Sequence, residues 1–236
     1  MNGSTLQNVR ATQKDAVASI ETRAAFAAKM RRMKLNLAGW ALAVGSIFLW
    51  FAWFLMPDAA TNDAARILAA VASQRAAVHR STVLQLAGAA LLVPGLVAQA
   101  APGGGTRAGA IALLWGAMGM AADAVYHQLA YEMTAPGLAR DAMLPVMTRM
   151  QTDELSPLVP LLLMFLAGAV LLGLQRARRR LGPAWIARLL MAPVATIGLG
   201  VAGVMLLGVP RRAVVLVTLG AICAGLAALG LARRED

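Results

Sequence analysis

The stretch LNLAGWALAVGSIFLWFAWFLM, Leu35–Met56, runs for 22 residues without a charge. At a rise of about 1.5 Å per residue it is long enough to cross the ~30 Å hydrocarbon core of a bilayer. Lipid offers a peptide group no hydrogen-bond partner, so the stretch has to be a helix. Five more apolar runs follow: Ser81–Ala101, Ala108–Tyr131, Leu158–Leu174, Ala184–Val209 and Ala213–Leu231. They predict an all-α polytopic membrane protein: six transmembrane helices in a bundle with short hairpin loops and a short outer amphipathic helix.

Composition agrees. Hydrophobic residues make up 59% of the chain and charged residues 14%, where a soluble domain carries about 25% charge. The pieces left outside the runs are too short to bury a core of their own. The organisation expected is therefore a cationic N-terminal segment over 1–34, one six-helix transmembrane domain over 35–232 and a tail over 233–236. The charged lead is too long for the n-region of a secretory signal, and the run after it too long for its apolar core, so the first helix reads as an uncleaved anchor.

The net charge of +11 is read through topology. With the N-terminus in the cytoplasm, the inner segments hold 14 basic residues and the outer segments 7, with Arg188 at a helix start. That bias predicts both termini on the cytoplasmic side of the membrane. Nucleic-acid binding would need a basic face with base-reading or stacking residues, and the sequence has none. The single cysteine, Cys223, lies within an apolar run. It cannot form an intramolecular disulfide and reads as a small buried side chain.

Within the lead, Asp15–Lys34 mixes Ala18, Ile20, Phe26, Met30 and Met33 with basic residues. It fits a solvated stalk or a helix on an anionic leaflet equally well. Pro57-Asp58 breaks the first helix, and Asn62 or Asp63 can cap the next. Ala65, Ile67, Leu68, Val71, Ala72 and Val78 then recur at helical spacing, the pattern of an amphipathic surface helix. The turns at 102–107 and 208–212 are short enough to make tight hairpins of their flanking spans. The longest outer connection, 132–156, should hold a short interfacial helix bearing Met143, Met147 and Met150. Methionine clusters can carry copper, but packing explains this spacing better. The sequence Gly198-Leu-Gly-Val-Ala-Gly203 copies a dinucleotide fingerprint inside an apolar run, where no strand and turn precede it. Its small residues, like Gly220, Gly225 and Gly230, serve close helix approach instead. Trp50, Trp53 and Trp115, with Phe48, Phe51 and Phe54, gather aromatics on the first helix and its neighbours; Trp50 and Trp53 read as an interfacial belt in preference to a quinone or lipid pocket.

An ionisable group inside a membrane is costly and marks a site by default. The third run supplies it. Asp123 and His127 are four residues apart and share a helix face, which Tyr131 continues, with Tyr126 beside it. The hairpin fixes relative depth: Asp123 lies level with Gln85 or Leu86, and His127 with Thr82. His79, the only other histidine, lies one turn further out. A ligand or proton site is therefore expected at Asp123, His127, Tyr126, Tyr131 and Gln85. A metal set would draw on His79, His127 and Asp123. Haem would need the two histidines to face each other, with Arg75, Arg80 or Arg140 at its propionates. The competing reading makes these groups interhelical glue.

The quoted stretches FLMPDAA (54–60), RILAAVASQR (66–75) and LQLAGAALLVPGLVA (84–98) resemble a DUF4386-like group of bacterial membrane proteins. The shared pattern is a Pro/Asp break, an "LAAVA" outer helix and an "LLVPxL" second span. The resemblance implies a six-helix fold and supplies no activity. On function, the leading expectation is a non-enzymatic accessory subunit or ligand-sensing module with an outer-side polar pocket at Asp123 and His127. A small proton-coupled transporter and a haem- or metal-binding redox protein are the alternatives. The partners expected are the lipid bilayer, and other membrane subunits or further copies of the chain. No nucleophile–base signature points to an enzyme.

Overall fold

A helix keeps its backbone satisfied without water, and this chain is helix almost throughout. The computed structural model describes residues 3–57, 63–101, 105–151 and 158–232. Among them there is no strand. The elements are α1 (Gly3–Leu55), α2 (Ala64–Ser73), α3 (Arg75–Ala100), α4 (Arg107–Met133), α5 (Arg140–Arg149), α6 (Leu158–Arg179), α7 (Ala184–Leu207) and α8 (Arg211–Ala232). Six of these are long and apolar enough to cross a membrane, so the protein is an integral membrane protein of the all-α class.

The chain divides into two units, Met1–Leu37 and Ala38–Asp236. The first holds the opening of α1. The helix expected over Asp15–Lys34 proves to be the middle of a longer one that begins at Gly3. The sequence explains this: residues 4–38 contain neither Gly nor Pro and are rich in Ala, Lys, Arg, Gln and Met, the better helix formers. Phe26 and Met33 of this unit are exposed.

In the second unit, α3 packs on α4, α4 on α6, α6 on α7 and α7 on α8. The part of α1 after Ala38 joins the two ends. It meets α3 where Gly45 lies against Gly88, and α8 where Gly39 lies against Gly230. Each span thus has two principal neighbours, and the six form a ring. A Cβ on Gly39 would stand 2.5 Å from the Gly230 carbonyl oxygen, and one on Gly45 2.8 Å from that of Gly88. Only glycine allows backbones so near. The middle of the ring is filled by Leu42, Leu49, Leu92, Leu113, Phe165 and Leu190, among others, all essentially inaccessible.

Helix ends follow local chemistry. Pro57 follows the end of α1, and Asp63 caps α2 by accepting from Ala65 N at 3.0 Å and Arg66 N at 3.1 Å. Gly208 closes α7 in the left-handed region (φ 66°), where other residues are strained. Thr106 Oγ1 donates to the Gln99 carbonyl at 2.9 Å, tying the α3–α4 turn. Two expectations shift. The second span starts six residues before Ser81, because Arg75–Arg80 continue the helix beyond the apolar run. On α2, Ala64 is buried and Ala65 is exposed, while Ile67, Leu68 and Val71 face inward as expected.

At one end of the ring, α2 and α5 form a cap. Ile67, Leu68, Val71 and Met147 bury against Met56, Val78, Tyr126 and Ala130. Met143 and Met150 pack beside them, which is the packing role their spacing suggested.

Candidate functional site

Asp123 lies on α4 one turn before His127, on the face turned toward α3. Its residue is buried, at 7% exposure. Gln85 reaches it from α3: its amide Nε2 donates to Asp123 Oδ2 at 2.7 Å and to the Met120 carbonyl at 3.0 Å. The Met120 carbonyl can only accept, which fixes the amide orientation. The register inferred from the short α3–α4 turn therefore gives a real contact. His127 Nε2 stands 3.4 Å from the same Asp123 oxygen, at the long edge of hydrogen-bonding distance. Gln85, Asp123 and His127 make a polar line across the α3–α4 seam, in a site where each polar group must find a partner. Thr82, near the His127 level, turns its hydroxyl back to the Val78 carbonyl at 3.0 Å.

The cap sits over this line. Tyr126 is buried, and its hydroxyl donates to Met147 Sδ of α5 at 3.6 Å. The Tyr126 and His127 rings meet edge to face, with centroids 5.4 Å apart. Met147 is fully buried. Any change at His127 is thus one residue from a side chain that holds α5.

Tyr131, four residues beyond His127, packs beside the cap cluster that holds Tyr126. His79, exposed on α3, lies 5.6 Å from the Tyr131 ring. The Arg75 guanidinium stands 3.8 Å over the same ring and donates to Thr134 Oγ1 at 2.8 Å and to the Tyr131 carbonyl. Cation–π contact and two hydrogen bonds fix the end of α4 to the start of α3. Sequence reasoning did not reach this clamp, although Arg75 and His79 are four apart on one helix. The signal was hidden because the apolar run starts only at Ser81. Met147 was likewise not linked to Tyr126.

The structure therefore brings Gln85, Asp123, Tyr126 and His127 together and places His79 against Tyr131. Among the described residues, no three His, Cys, Asp or Glu side chains converge as metal ligands. A His79–Asp123–His127 set is not assembled here, and Arg75, one of the propionate candidates, is engaged with Tyr131 and Thr134. What the site offers is a carboxyl and an imidazole that can share a proton, an amide that fixes the carboxyl, and an aromatic link to a two-helix cap.

Fold and site together define a polytopic helical membrane protein in which a buried Asp is paired with a partly buried His. No family model, no curated protein and no solved structure matches the chain.

Proposed function

We propose that the protein is a non-enzymatic membrane module, a sensor or accessory subunit, whose working site is the Gln85–Asp123–His127 line under the α2–α5 cap. The observation that carries this reading is the Tyr126–Met147 contact. It ties the span that bears the ionisable pair to a short helix outside the ring. Binding of a proton or a small polar ligand at the pair changes charge where charge is expensive, and the cap is the element placed to respond. Hydrogen exchange of α5 tests this. Its protection is expected to differ between pH 5 and pH 8 in the wild type, and to lose that dependence in Asp123→Asn and in His127→Gln. Identical protection at both pH values in the wild type overturns the proposal.

A small proton-coupled transporter is the second reading, favoured by an Asp–His pair within a span, as in proton relays. Proton flux into vesicles that is lost in Asp123→Asn supports it. Haem or a transition metal at His79 and His127 is the third, and it requires His79 to leave Tyr131. An absorbance spectrum and metal analysis of the purified protein test that one. We further take the membrane to be a bacterial inner membrane with both termini cytoplasmic, on the basic-residue bias and the DUF4386-like resemblance.

A further inference from the structure

We infer that the groove between α1 and α8 holds one membrane phospholipid, with an acyl chain along Trp50 and the phosphate on Arg211 and Arg212. The groove measures about 630 Å³. Ile47, Trp50 and Phe54 form one wall on α1, and Gly220, Ala224 and Ala227 form the floor on α8. Small residues make the hollow and fixed aromatics frame it. The Trp50 indole donates to the Leu216 carbonyl at 3.3 Å and stacks on Phe54 with centroids 5.6 Å apart. A Cβ on Gly220 would come within 3.0 Å of the indole nitrogen, so the wall sits directly on the floor.

A hollow with this lining offers water no partners, so hydrocarbon fills it. From Leu216 to Ala227 the floor runs about 16 Å along the helix, close to half of the ~30 Å hydrocarbon core. That is the reach of one acyl chain in one leaflet.

The charge at the open end selects a phospholipid over other hydrocarbon. Arg211 and Arg212 begin α8, and its first turn holds no acidic residue. Cations are unfavourable at a helix N-terminus, and an anion beside them offsets this. The Arg212 Nη2 donates to the Phe54 carbonyl at 2.7 Å, which anchors the guanidinium at the head of the aromatic wall. A phosphate oxygen beside the two guanidinium groups accepts in the charge-assisted geometry guanidinium favours. The far half of α7 shows the contrast: Met205, Leu206 and Leu207 are about 80% exposed, and there the lipid meets side chains that stand clear of the bundle.

Native mass spectrometry of the full chain, released from nanodiscs of phosphatidylethanolamine and phosphatidylglycerol, tests the assignment. The wild type is expected to keep one phospholipid per chain. Ala224→Trp fills the groove from an exposed position and should remove the adduct, and Ala227→Phe serves where that variant does not fold. The double variant Arg211→Gln with Arg212→Gln should weaken retention about tenfold, through lost charge-assisted bonds. No retained lipid in the wild type overturns the proposal, as does equal retention in all variants. A lipid-free dimer that Ala224→Trp dissociates gives the groove to a second copy instead. Retention that fails in Ala224→Trp but is unchanged in the arginine variant overturns the phosphate contact.

Discussion

A carboxyl group inside a membrane span persists only when its neighbours replace the water it lost. For Asp123 the main replacement is Gln85, at 2.7 Å. Gln85→Leu leaves the carboxyl without that donor and is expected to lower stability by about 1 kcal/mol, the scale of interhelical polar pairs in membranes. Thermal denaturation in detergent measures it. Adding Asp123→Leu to Gln85→Leu should cost less than the two single changes summed, because the second change removes the orphaned group as well. A strictly additive pair would show that the contact carries no energy. This contact was legible in the sequence, since a tight turn at 102–107 sets which residues of the two helices are level. The Tyr126–Met147 contact was not. Its partners lie 21 residues apart, no fixed register links their helices, and a sulfur acceptor leaves no pattern in a sequence. The Arg75 clamp escaped for another reason: a helix that continues past its apolar stretch gives no hydropathy signal of doing so.

At the scale of a helix, glycines that look alike in the sequence separate by what lies against them. A Cβ on Gly109 of α4 would fall 2.5 Å from the Leu172 backbone nitrogen, and one on Gly168 of α6 2.6 Å from that of Leu113. Gly198 of α7 has nothing within 4 Å. Gly168→Leu should therefore force α4 and α6 apart and cost about 1–3 kcal/mol or more. Gly198→Ala should stabilise by about 0.5–1 kcal/mol through lower backbone entropy in the unfolded chain. A destabilised Gly198→Ala would mean that another surface packs on α7. The cap helix has its own weak point. Asp63→Ala removes the acceptor for two backbone amides, costing about 1 kcal/mol of local stability, and should appear as faster hydrogen exchange over Ala64–Ile67 with little change in α4. The sequence offered Asp63 as one of two caps and foretold the inner face of α2 but placed Ala65 one residue wrong. An alanine contributes too little to hydrophobic periodicity to fix the phase of a ten-residue helix.

For the molecule as a whole, the hairpins put Ala139 and Arg178 at opposite ends of the ring. Both are exposed. Cysteines placed singly at these positions should react with a membrane-impermeant maleimide from opposite sides of sealed vesicles, while the buried native Cys223 stays unlabelled. Labelling of both from one side would contradict the six-span fold. The pairing of α3 with α4 and of α7 with α8 follows from short turns and could be anticipated; that of α4 with α6, joined by the longest connection, could not. The closure of the ring by α1 could not, because it depends on glycine faces that lie almost the whole chain apart. That closure bears on how the protein is made. The Gly39 face of α1 has its partner, Gly230, in α8, so during synthesis it stays unmated until every span between them has been made. The α1–α3 contact can form early; the α1–α8 seam has to wait for α8. A nascent chain stalled before α8 would present an open edge to the membrane, a feature by which a quality-control protease can distinguish unfinished copies from finished ones.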